Sequence, residues 1–446
     1  MKKYLLLALI SWGMMPTVAA AADWYIDLAA GVSGAACTTA APCLSLDDTL
    51  PVGFVSGDTI YVRGETTDSM MVDSSLLNGT ADDPTLITAW PGESTPTLSH
   101  LTNASLAITV GEYITFDGFI IRGGDVGIEM NKYNGTTSHI VLQNFLVIEN
   151  NIGINLNGVS NTTIQSSTIG GNTTSGIDVG ESATVQLINS VIASNTGQGV
   201  NILSGNDQVA VYHNVIADNG VGLNMQTATT STAVYNNIFY TNAYAVSYEA
   251  DTLAGADYND YYANTAISSE YATLAELQAG LNVELNSLEV DPEFVDPVVS
   301  ADRDFHVLAT SPLIDAGYDL SSVVVVDRDD ETRPYGTGFD IGFDELPVVP
   351  MPTSLKVKKI TAHQATVRWQ IASGYSVTKY KVEYSRKKSF TNPKRVSAKT
   401  TKKTLTKLKA GTKYFVRVKA VYQTDYAKYK SAKTTAKRFT TKQVSE

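Results

Sequence analysis

The chain has 446 residues and a formal net charge of −12 at pH 7. This length exceeds what one ordinary hydrophobic core needs, so we expect at least two domains. The charge is divided unevenly, because residues 23–350 carry 6 Lys or Arg against 42 acids and residues 351–446 carry 25 against 3. This division predicts an acidic domain followed by a strongly basic one. After the first residues, no apolar run reaches the length that a transmembrane helix requires.

The first 22 residues have the pattern of a secretory signal peptide. Lys2 and Lys3 give a positive start, a short apolar run follows at 5–10, and Ala20 and Ala22 offer a small-residue cleavage site. We therefore expect a secreted protein that lies outside the cell, at its surface or in the periplasm.

Cys37 and Cys43 are the only two cysteines, and six positions separate them. In an exported chain, such a pair predicts a disulfide bond. The alternative is a metal-binding pair, but no His or third Cys lies nearby in the sequence.

A sequence repeat occupies the middle of the acidic half, where an apolar residue recurs every 23 positions after a small one. The copies are Gly153-Ile154, Gly176-Ile177, Gly199-Val200, Gly222-Leu223 and Ala245-Val246, with a looser copy at Gly127-Ile128. The turns before them contain Asn151, Asn172, Asn195, Asn219 and Asn242. A unit this short buries a core only by stacking on its neighbours. The repeat therefore predicts a solenoid of about five to eight coils, with neighbouring coils about 4.8 Å apart.

These coils resemble the pectate-lyase-like superfamily of right-handed parallel β-helices. The segments Trp24–Asp27, Pro42–Leu46 and Gly57–Arg63 resemble, in that order, its first strand, a capping helix and its first full coil. Four later segments resemble the end of a bacterial surface subgroup that carries interchangeable C-terminal anchors: Asp257–Tyr262, Asp291–Pro297, Ser311–Gly317 and Asp340–Glu345. The resemblance implies an all-β fold with the β-helix over residues 23–346.

The basic half resembles a fibronectin type III β-sandwich. Trp369 lies in an early strand, and the segment Leu408–Ala420 resembles the tyrosine corner and the strand after it, with Tyr414 as the corner residue. The proline-rich segment 347–352 predicts a short stiff linker, so we expect the type III domain over residues 353–442.

Alternation along the repeat strands predicts which side chains face solvent. If Ile154 and Leu156 point inward, Asn155 and Asn157 point outward, and the same frame in each coil gives a polar strip. Such a strip suits a neutral polysaccharide, because amides both donate to and accept from sugar hydroxyls. The candidate binding residues are Glu129, Asn131, Asn155, Asn157, Asp178, Asn201, Asn224, Gln226 and Glu249. The alternative is that the strip is polar only for solubility.

The resemblance also implies catalysis as an alternative, by a polysaccharide lyase or a glycoside hydrolase. A lyase needs a basic residue, yet no Lys or Arg lies between Lys132 and Arg303. Polygalacturonases carry the motif Asn-Thr-Asp-Gly-Ile-Asp. The corresponding segment of this chain, Asn172–Asp178, has Ser175 in place of the first acid of the motif. The remaining catalytic candidates, Asp178 and Glu129, are two coils apart, about 10 Å, which is at the limit for paired carboxylates. The sequence leaves enzymatic activity open and favours a non-catalytic protein.

Two further clusters have alternative interpretations. Tyr258, Tyr261 and Tyr262 either pack the end of the helix or stack on a sugar. The segment Asp327–Glu331 resembles part of a calcium loop without EF-hand spacing, so Ca²⁺ is the cofactor that the sequence suggests.

Residues 351–446, which include the type III domain, carry a net charge of +22, more than solubility requires. The outward-facing cations of the domain include Lys356, Lys358, Lys379, Lys381, Arg417 and Lys419. They should attract anionic polymers of the cell envelope or matrix, or the domain should dock on its own acidic β-helix. The sequence thus predicts a secreted or cell-surface β-helix protein that binds extracellular polysaccharide and attaches through a basic module. A polysaccharide-active enzyme and an inert structural rod are the alternatives.

Overall fold

The computed structural model describes residues 21–46, 54–132, 135–226, 231–248, 253–298, 303–347, 349–372, 377–423 and 428–444. Most of the predicted signal peptide and the candidate Glu249 lie outside these ranges. The chain divides into two compact units, Met1–Gln186 with Val200–Asp207, and Leu187–Gly199 with Gln208–Glu446. Within the described ranges, no helix has both the length and the apolar character needed to span a membrane.

The first unit is a stack of parallel coils whose strands form three sheets. The first sheet contains Asp23–Asp27, Thr59–Arg63, Thr85–Ala89, Gly111–Asp117, Thr137–Gln143, Ser160–Gln165 and Ala183–Ile188. The second sheet contains Met70–Val72, Ala104–Ile108, Val126–Asn131, Ile152–Asn157, Ser175–Gly180 and Gln198–Ile202. The third sheet contains Glu65–Thr66, Thr97–Leu98, Ile120–Arg122, Leu146–Ile148 and Thr168–Gly170. A 3₁₀ turn lies at Ser75–Leu77.

Neighbouring coils of the first unit pair in parallel and in register. Ile128 lies opposite Ile154, and Ile154 lies opposite Ile177. All three side chains are at most 1% exposed, so they form one apolar row inside the stack. The prediction that successive repeats lie directly over one another is confirmed.

The start of the stack agrees with the resemblance at its two strands. Asp23–Asp27 pairs in parallel with Thr59–Arg63, and Cys37 is disulfide-bonded to Cys43 as predicted. The described residues between these strands form turns and isolated bridges. The prediction of a capping helix at Pro42–Leu46 is wrong. The backbone of Cys43 instead forms an isolated parallel bridge with Ile26 of the first strand, accepting from Asp27 N at 2.9 Å and donating to Tyr25 O at 3.0 Å, so this segment is extended and not helical.

Buried asparagines hold the corners between sheets. The backbone N–H groups of Gly124 and Asn150 donate to the Oδ1 atoms of Asn150 (2.9 Å) and Asn172 (3.0 Å). A residue in the left-handed conformation precedes each asparagine: Glu149 with φ 60° and Gly171 with φ 66°. This bend turns the next side chain inward, so the buried member of the turn is Asn150 and not its neighbour Asn151.

The second unit repeats this architecture and then closes it. Its parallel strands are Val209–Tyr212, Thr232–Tyr235 and Leu253–Asp257 in one sheet, Val221–Met225 and Tyr244–Ser247 in another, and Val191–Ala193, Val215–Ala217, Ile238–Tyr240 and Asp260–Tyr262 in a third. Two asparagine ladders run through it, Asn195–Asn219–Asn242–Asn264 and Asn214–Asn237–Asn259. A helix at Leu274–Leu281 and an antiparallel pair, Phe294–Asp296 with Asp304–Val307, follow the last coil.

A buried carboxylate ends the second ladder. The side-chain amide of Asn259 donates to Glu284 at 2.9 Å, and the hydroxyl of Tyr261 donates to it at 2.6 Å. Burial raises the pKa of Glu284 to about 7, although hydrogen bonds from Ser287, Tyr261 and Asn259 oppose that shift. Tyr261 is 1% exposed and stacks on Phe239 at 5.0 Å, so it packs the end of the helix.

The second unit ends in a β-sandwich with the predicted type III features. One sheet contains Thr353–Lys358, Ala365–Gln370 and Lys402–Leu405, and the other contains Lys379–Ser385, Lys394–Ala398, Lys413–Gln423, Lys428–Lys430 and Lys437–Thr440. Trp369 packs edge-on against Tyr380 at 5.2 Å in the core. The backbone N–H of Lys409 donates to the Tyr414 hydroxyl at 3.0 Å, which confirms the tyrosine corner.

The sandwich touches the segment that closes the β-helix. The rings of Tyr335 and Tyr422 lie 4.8 Å apart, and the Tyr429 hydroxyl donates to Glu331 at 3.3 Å. Burial, together with the negative charge of Asp327, raises the pKa of Glu331 to about 7. The contact between the basic domain and the acidic β-helix is thus made by tyrosines around a buried acid.

One acid organises the cations on the five-stranded sheet. Glu383 accepts from Arg395 (3.0 Å), Arg417 (2.8 Å) and Lys433 (3.2 Å). Burial alone would raise the pKa of Glu383, but these three hydrogen bonds outweigh it and hold the pKa at about 2. Lys381 lies directly opposite Lys419 on the same sheet, and burial and the nearby charges of Lys433 and Lys430 lower the pKa of Lys419.

We expect Glu284→Gln to weaken the pH dependence of stability. Because the folded protein holds this proton to about pH 7 and the unfolded chain loses it near pH 4.5, the free energy of unfolding should fall as pH rises through that window. Urea unfolding at several pH values should show a smaller fall in the variant. Glu270→Gln, at an exposed glutamate, is the matched control, and an equal fall in Glu284→Gln and wild type would contradict this account.

Glu383→Gln should destabilise the sandwich by about 1–3 kcal/mol, because it leaves three cations without their partner. The carboxylate stabilises the domain above about pH 4.5, and this contribution is lost as pH falls toward 2, so the variant should also lose that acid-dependent step. Unfolding followed by Trp369 fluorescence measures both effects. Arg395→Gln, at the most exposed of the three partners, should cost less than half as much. Equal costs for the two variants would refute the central role of Glu383.

Candidate functional site

One row of polar side chains faces outward from the second sheet of the first unit. We call it the outer row; its members are Glu129, Asn155, Asp178 and Asn201. Glu129 lies opposite Asn155, and Asn155 lies opposite Asp178. The Asn201 amide donates to Asp178 at 3.1 Å. All four side chains are half-buried, so the row is continuous and reachable from solvent.

The second predicted row is shorter than the sequence suggests. Asn157 is exposed, but Asn131 is only 6% exposed, and its amide folds back along the strand to donate to Glu129 at 3.3 Å. The next position is Gly180, and the side chain of Leu203 lies within van der Waals reach of the space beside it. An apolar contact therefore replaces the polar strip at this point.

A cation lies at the edge of this surface. The aliphatic part of Lys132 covers Gly158, where a Cβ would come within 2.5 Å of Lys132 Cδ. The Lys132 ammonium lies 3.8 Å from Glu181, and both side chains are more than half exposed. The sequence identified Lys132 as a nearby cation but gave no sign that a glycine of the next coil makes room for it.

The second unit contains the candidates Asn224, Gln226 and Glu249. Asn224 lies opposite Ser247 and is half-buried, and Gln226 is exposed. Glu249 lies outside the described residues, so its predicted place beside them stays a prediction.

The two catalytic candidates do not form a close pair. Glu129 and Asp178 lie on strands separated by the strand of Asn155, which is two strand spacings or about 10 Å. The Glu129 carboxylate accepts from the amide of Asn131, and the Asp178 carboxylate accepts from the amide of Asn201. Retaining hydrolysis needs carboxyl groups about 5 Å apart and inverting hydrolysis about 6.5–9.5 Å, so this geometry favours binding over two-carboxylate chemistry.

The first residue of the predicted calcium-loop fragment, Asp327, holds a turn by hydrogen bonds to backbone N–H groups. Both carboxylate oxygens of Asp327 accept backbone N–H groups, from Asp329 and Glu331 on one side and from Glu345 on the other. Asp329 instead contacts His306 at 2.7 Å, and these two residues with Asp344 place possible metal-ligating atoms within 4.8 Å of one another. Burial lowers the pKa of His306, but the hydrogen bond to Asp329 and the charge of Asp344 raise it to about 9.

The sandwich contains a concave surface that sequence patterns did not reveal. We call it the basic pocket; it has a volume of about 420 Å³. Its cations are Arg386, Lys387, Lys394, Lys407 and Lys409. They come from two segments that are distant in sequence, and only the folded sandwich brings the segments together.

Comparison with known proteins supports the fold of both parts. Residues 56–273 match the model of a family described as periplasmic copper-binding protein (NosD), and residues 350–436 match the fibronectin type III domain. The crystal structure of pectate lyase Pel9A is similar, with 17% identity and a TM-score of 0.50, over 73% of this chain and 96% of that one.

Two further solved structures cover a smaller share of the chain, and no curated protein sequence matches it. A GH136 lacto-N-biosidase from Eubacterium ramulus is 14% identical with a TM-score of 0.46, over 55% of this chain and 56% of that one. A two-domain segment of chicken tenascin is 26% identical with a TM-score of 0.19, over 21% of this chain and 51% of that one. Together with the parallel coils and the tyrosine corner, the two family-model matches and the pectate lyase structure show a right-handed parallel β-helix fold followed by a fibronectin type III domain.

Proposed function

We propose that this chain is an exported, non-catalytic protein that binds extracellular polysaccharide on its β-helix and attaches through its basic type III domain to anionic polymers of the cell envelope or matrix. The observation that carries the proposal is the outer row, in which successive coils present one amide or carboxylate each. The periplasmic description of the matched family agrees with export.

The outer row offers the hydrogen-bonding groups that a neutral sugar needs. An amide supplies two donors and an acceptor, and a carboxylate accepts from two vicinal hydroxyls. Because coils are about 4.8 Å apart, a polysaccharide lying along the stack meets a new polar group at each coil. Leu203 beside Gly180 adds an apolar contact for the face of a sugar ring.

A polyuronate is a poorer ligand for the outer row than a neutral glycan. Glu129 and Asp178 would repel its carboxylates, and the one nearby cation, Lys132, is already close to Glu181. The absence of Lys and Arg from the sequence between Lys132 and Arg303 also leaves the five best repeats without a base of the kind that lyases use. These features support binding rather than cleavage.

The residues of the matched segment do not fit a copper site, although the family is named for copper. Copper prefers imidazole and sulfur ligands. Both cysteines are in the disulfide, and among the described residues of 56–273 no three His, Cys, Asp or Glu side chains converge. His139 stacks on Tyr113, and His213 is fully buried between Gly342 and Asn236. We therefore assign no copper to this segment.

The type III domain supplies the second part of the proposal. Its excess of cations should draw it to polyanions by long-range attraction. The acidic β-helix, with 42 acids, repels the same polymers, so one chain can hold an anionic surface at one end and a neutral glycan along the other.

Replacing two outer-row residues, Asn155→Ala with Asp178→Ala, should weaken binding to a neutral glycan by at least about tenfold, because several sugar hydrogen bonds of about 0.5–1.5 kcal/mol each are lost. A glycan array with and without Ca²⁺ identifies the ligand, and titration measures the loss. The control is Gln143→Ala with Gln165→Ala, which removes two amides, 2.9 Å apart, from adjacent strands of the first sheet. Equal loss in both variants, or no glycan binding by the wild type, would refute the role of the outer row. Release of shortened or unsaturated products would favour the enzymatic alternative.

Attachment through the basic domain should depend steeply on salt. Raising the salt concentration from about 0.05 to about 0.5 M shortens the Debye length and should weaken binding to an anionic polymer at least about tenfold. Retention of the full chain on beads that carry polygalacturonate or dextran sulfate measures this, with neutral dextran beads as the control. Salt-independent retention would contradict attachment by charge.

A further inference from the structure

The basic pocket lies at one end of the type III sandwich, where two loops meet. One loop follows the strand Lys379–Ser385, and the other precedes the strand Lys413–Gln423. The lining residues are Tyr384, Ser385, Arg386, Lys387, Thr391, Asn392, Lys394, Lys407, Leu408, Lys409 and Tyr414. Its volume of about 420 Å³ falls within the range of about 300–1,000 Å³ that is usual for small-ligand sites.

Five of the lining residues are cations, and no acid is among them. This differs from the sheet surface around Glu383, where one buried carboxylate binds three cations. Positive charges that converge in a concave site focus the field and attract a counter-ion more strongly than the same charges on a flat surface. The pocket should therefore attract an anion more strongly than a flat surface with the same charges would.

The floor and rim of the pocket suit a sugar that carries the negative charge. The tyrosine corner fixes the floor, because Lys409 N donates to the Tyr414 hydroxyl and Leu408 is buried beneath it. Hydroxyl and amide groups of Ser385, Thr391 and Asn392 stand among the cations at the rim. Such groups can bind sugar hydroxyls while the cations bind the charged substituent.

We infer that the basic pocket is a binding site for anionic polysaccharide, which it holds by one carboxylated or sulfated sugar unit. The inference rests on the attachment role proposed above and gives that role a defined site. Nucleic acid fits less well, because single strands bind by stacking bases on aromatic rings. The two pocket tyrosines, Tyr384 and Tyr414, are each only 7% exposed and offer no such face.

The test compares two variants of the full chain that have the same net charge. Lys387→Gln with Lys409→Gln removes two exposed cations from the pocket and leaves the backbone hydrogen bond of Lys409 intact. Lys356→Gln with Lys358→Gln removes two exposed cations from the other sheet of the sandwich. Circular dichroism and unfolding curves check that both variants are folded.

Binding is measured by titration with fragments of polygalacturonate and of dextran sulfate, with a single-stranded DNA oligonucleotide as the third ligand. We expect the pocket variant to lose at least about tenfold in affinity for one or both saccharides, and the control variant to lose less than about threefold. The two saccharides tell whether the pocket prefers carboxylate or sulfate.

Equal losses in the two variants would overturn the pocket while leaving attachment by overall charge in place. Failure of the wild type to bind either saccharide would overturn both the pocket and the attachment role. If the pocket variant lost DNA binding as strongly as saccharide binding, the assignment to polysaccharide would be wrong.

Discussion

The in-register stacking of short coils is the constraint on which the rest of the structure depends. Because side chains alternate across each strand, register decides at once which residues form the core and which reach solvent. Ile128, Ile154 and Ile177 stack inside, and the residues that follow each of them stack outside. A slip of one residue would bury Glu129, Asn155 and Asp178. The same strand register therefore determines both the core and the outer row.

Buried polar groups make this stacking specific. Several corners have a left-handed residue followed by an asparagine, as at Asp218 and Asn219, and the asparagine bonds the next coil through both its backbone and its side chain. A misaligned coil would leave these amides unpaired in the interior, at a cost of about 1–3 kcal/mol each. The last amide of one ladder ends on Glu284, whose oxygens accept the remaining donors. The polar groups of the interior thus align the strands that the apolar rows hold together.

The sequence was sufficient to predict the coils but not every detail of the surface. The sequence repeat of 23 residues and the alternation of side chains along each strand together determine the outer row, because both are properties of a regular stack of strands. Asn131 obeys the same alternation, yet it is buried, since its amide turns back to Glu129 at the end of the strand. Neither Glu284 nor the residues of the basic pocket belong to a sequence repeat. They depend on contacts between segments that are distant in sequence, and so only coordinates reveal them.

We propose that the outer row binds polysaccharide. The decisive test is a crystal structure of the chain with a fragment of its tightest-binding neutral glycan. We expect sugar rings to lie over the strands Ile152–Asn157 and Ser175–Gly180, with hydroxyls bonded to Asn155 and Asp178. If the fragment binds on another sheet and the outer row is free, the proposal is wrong.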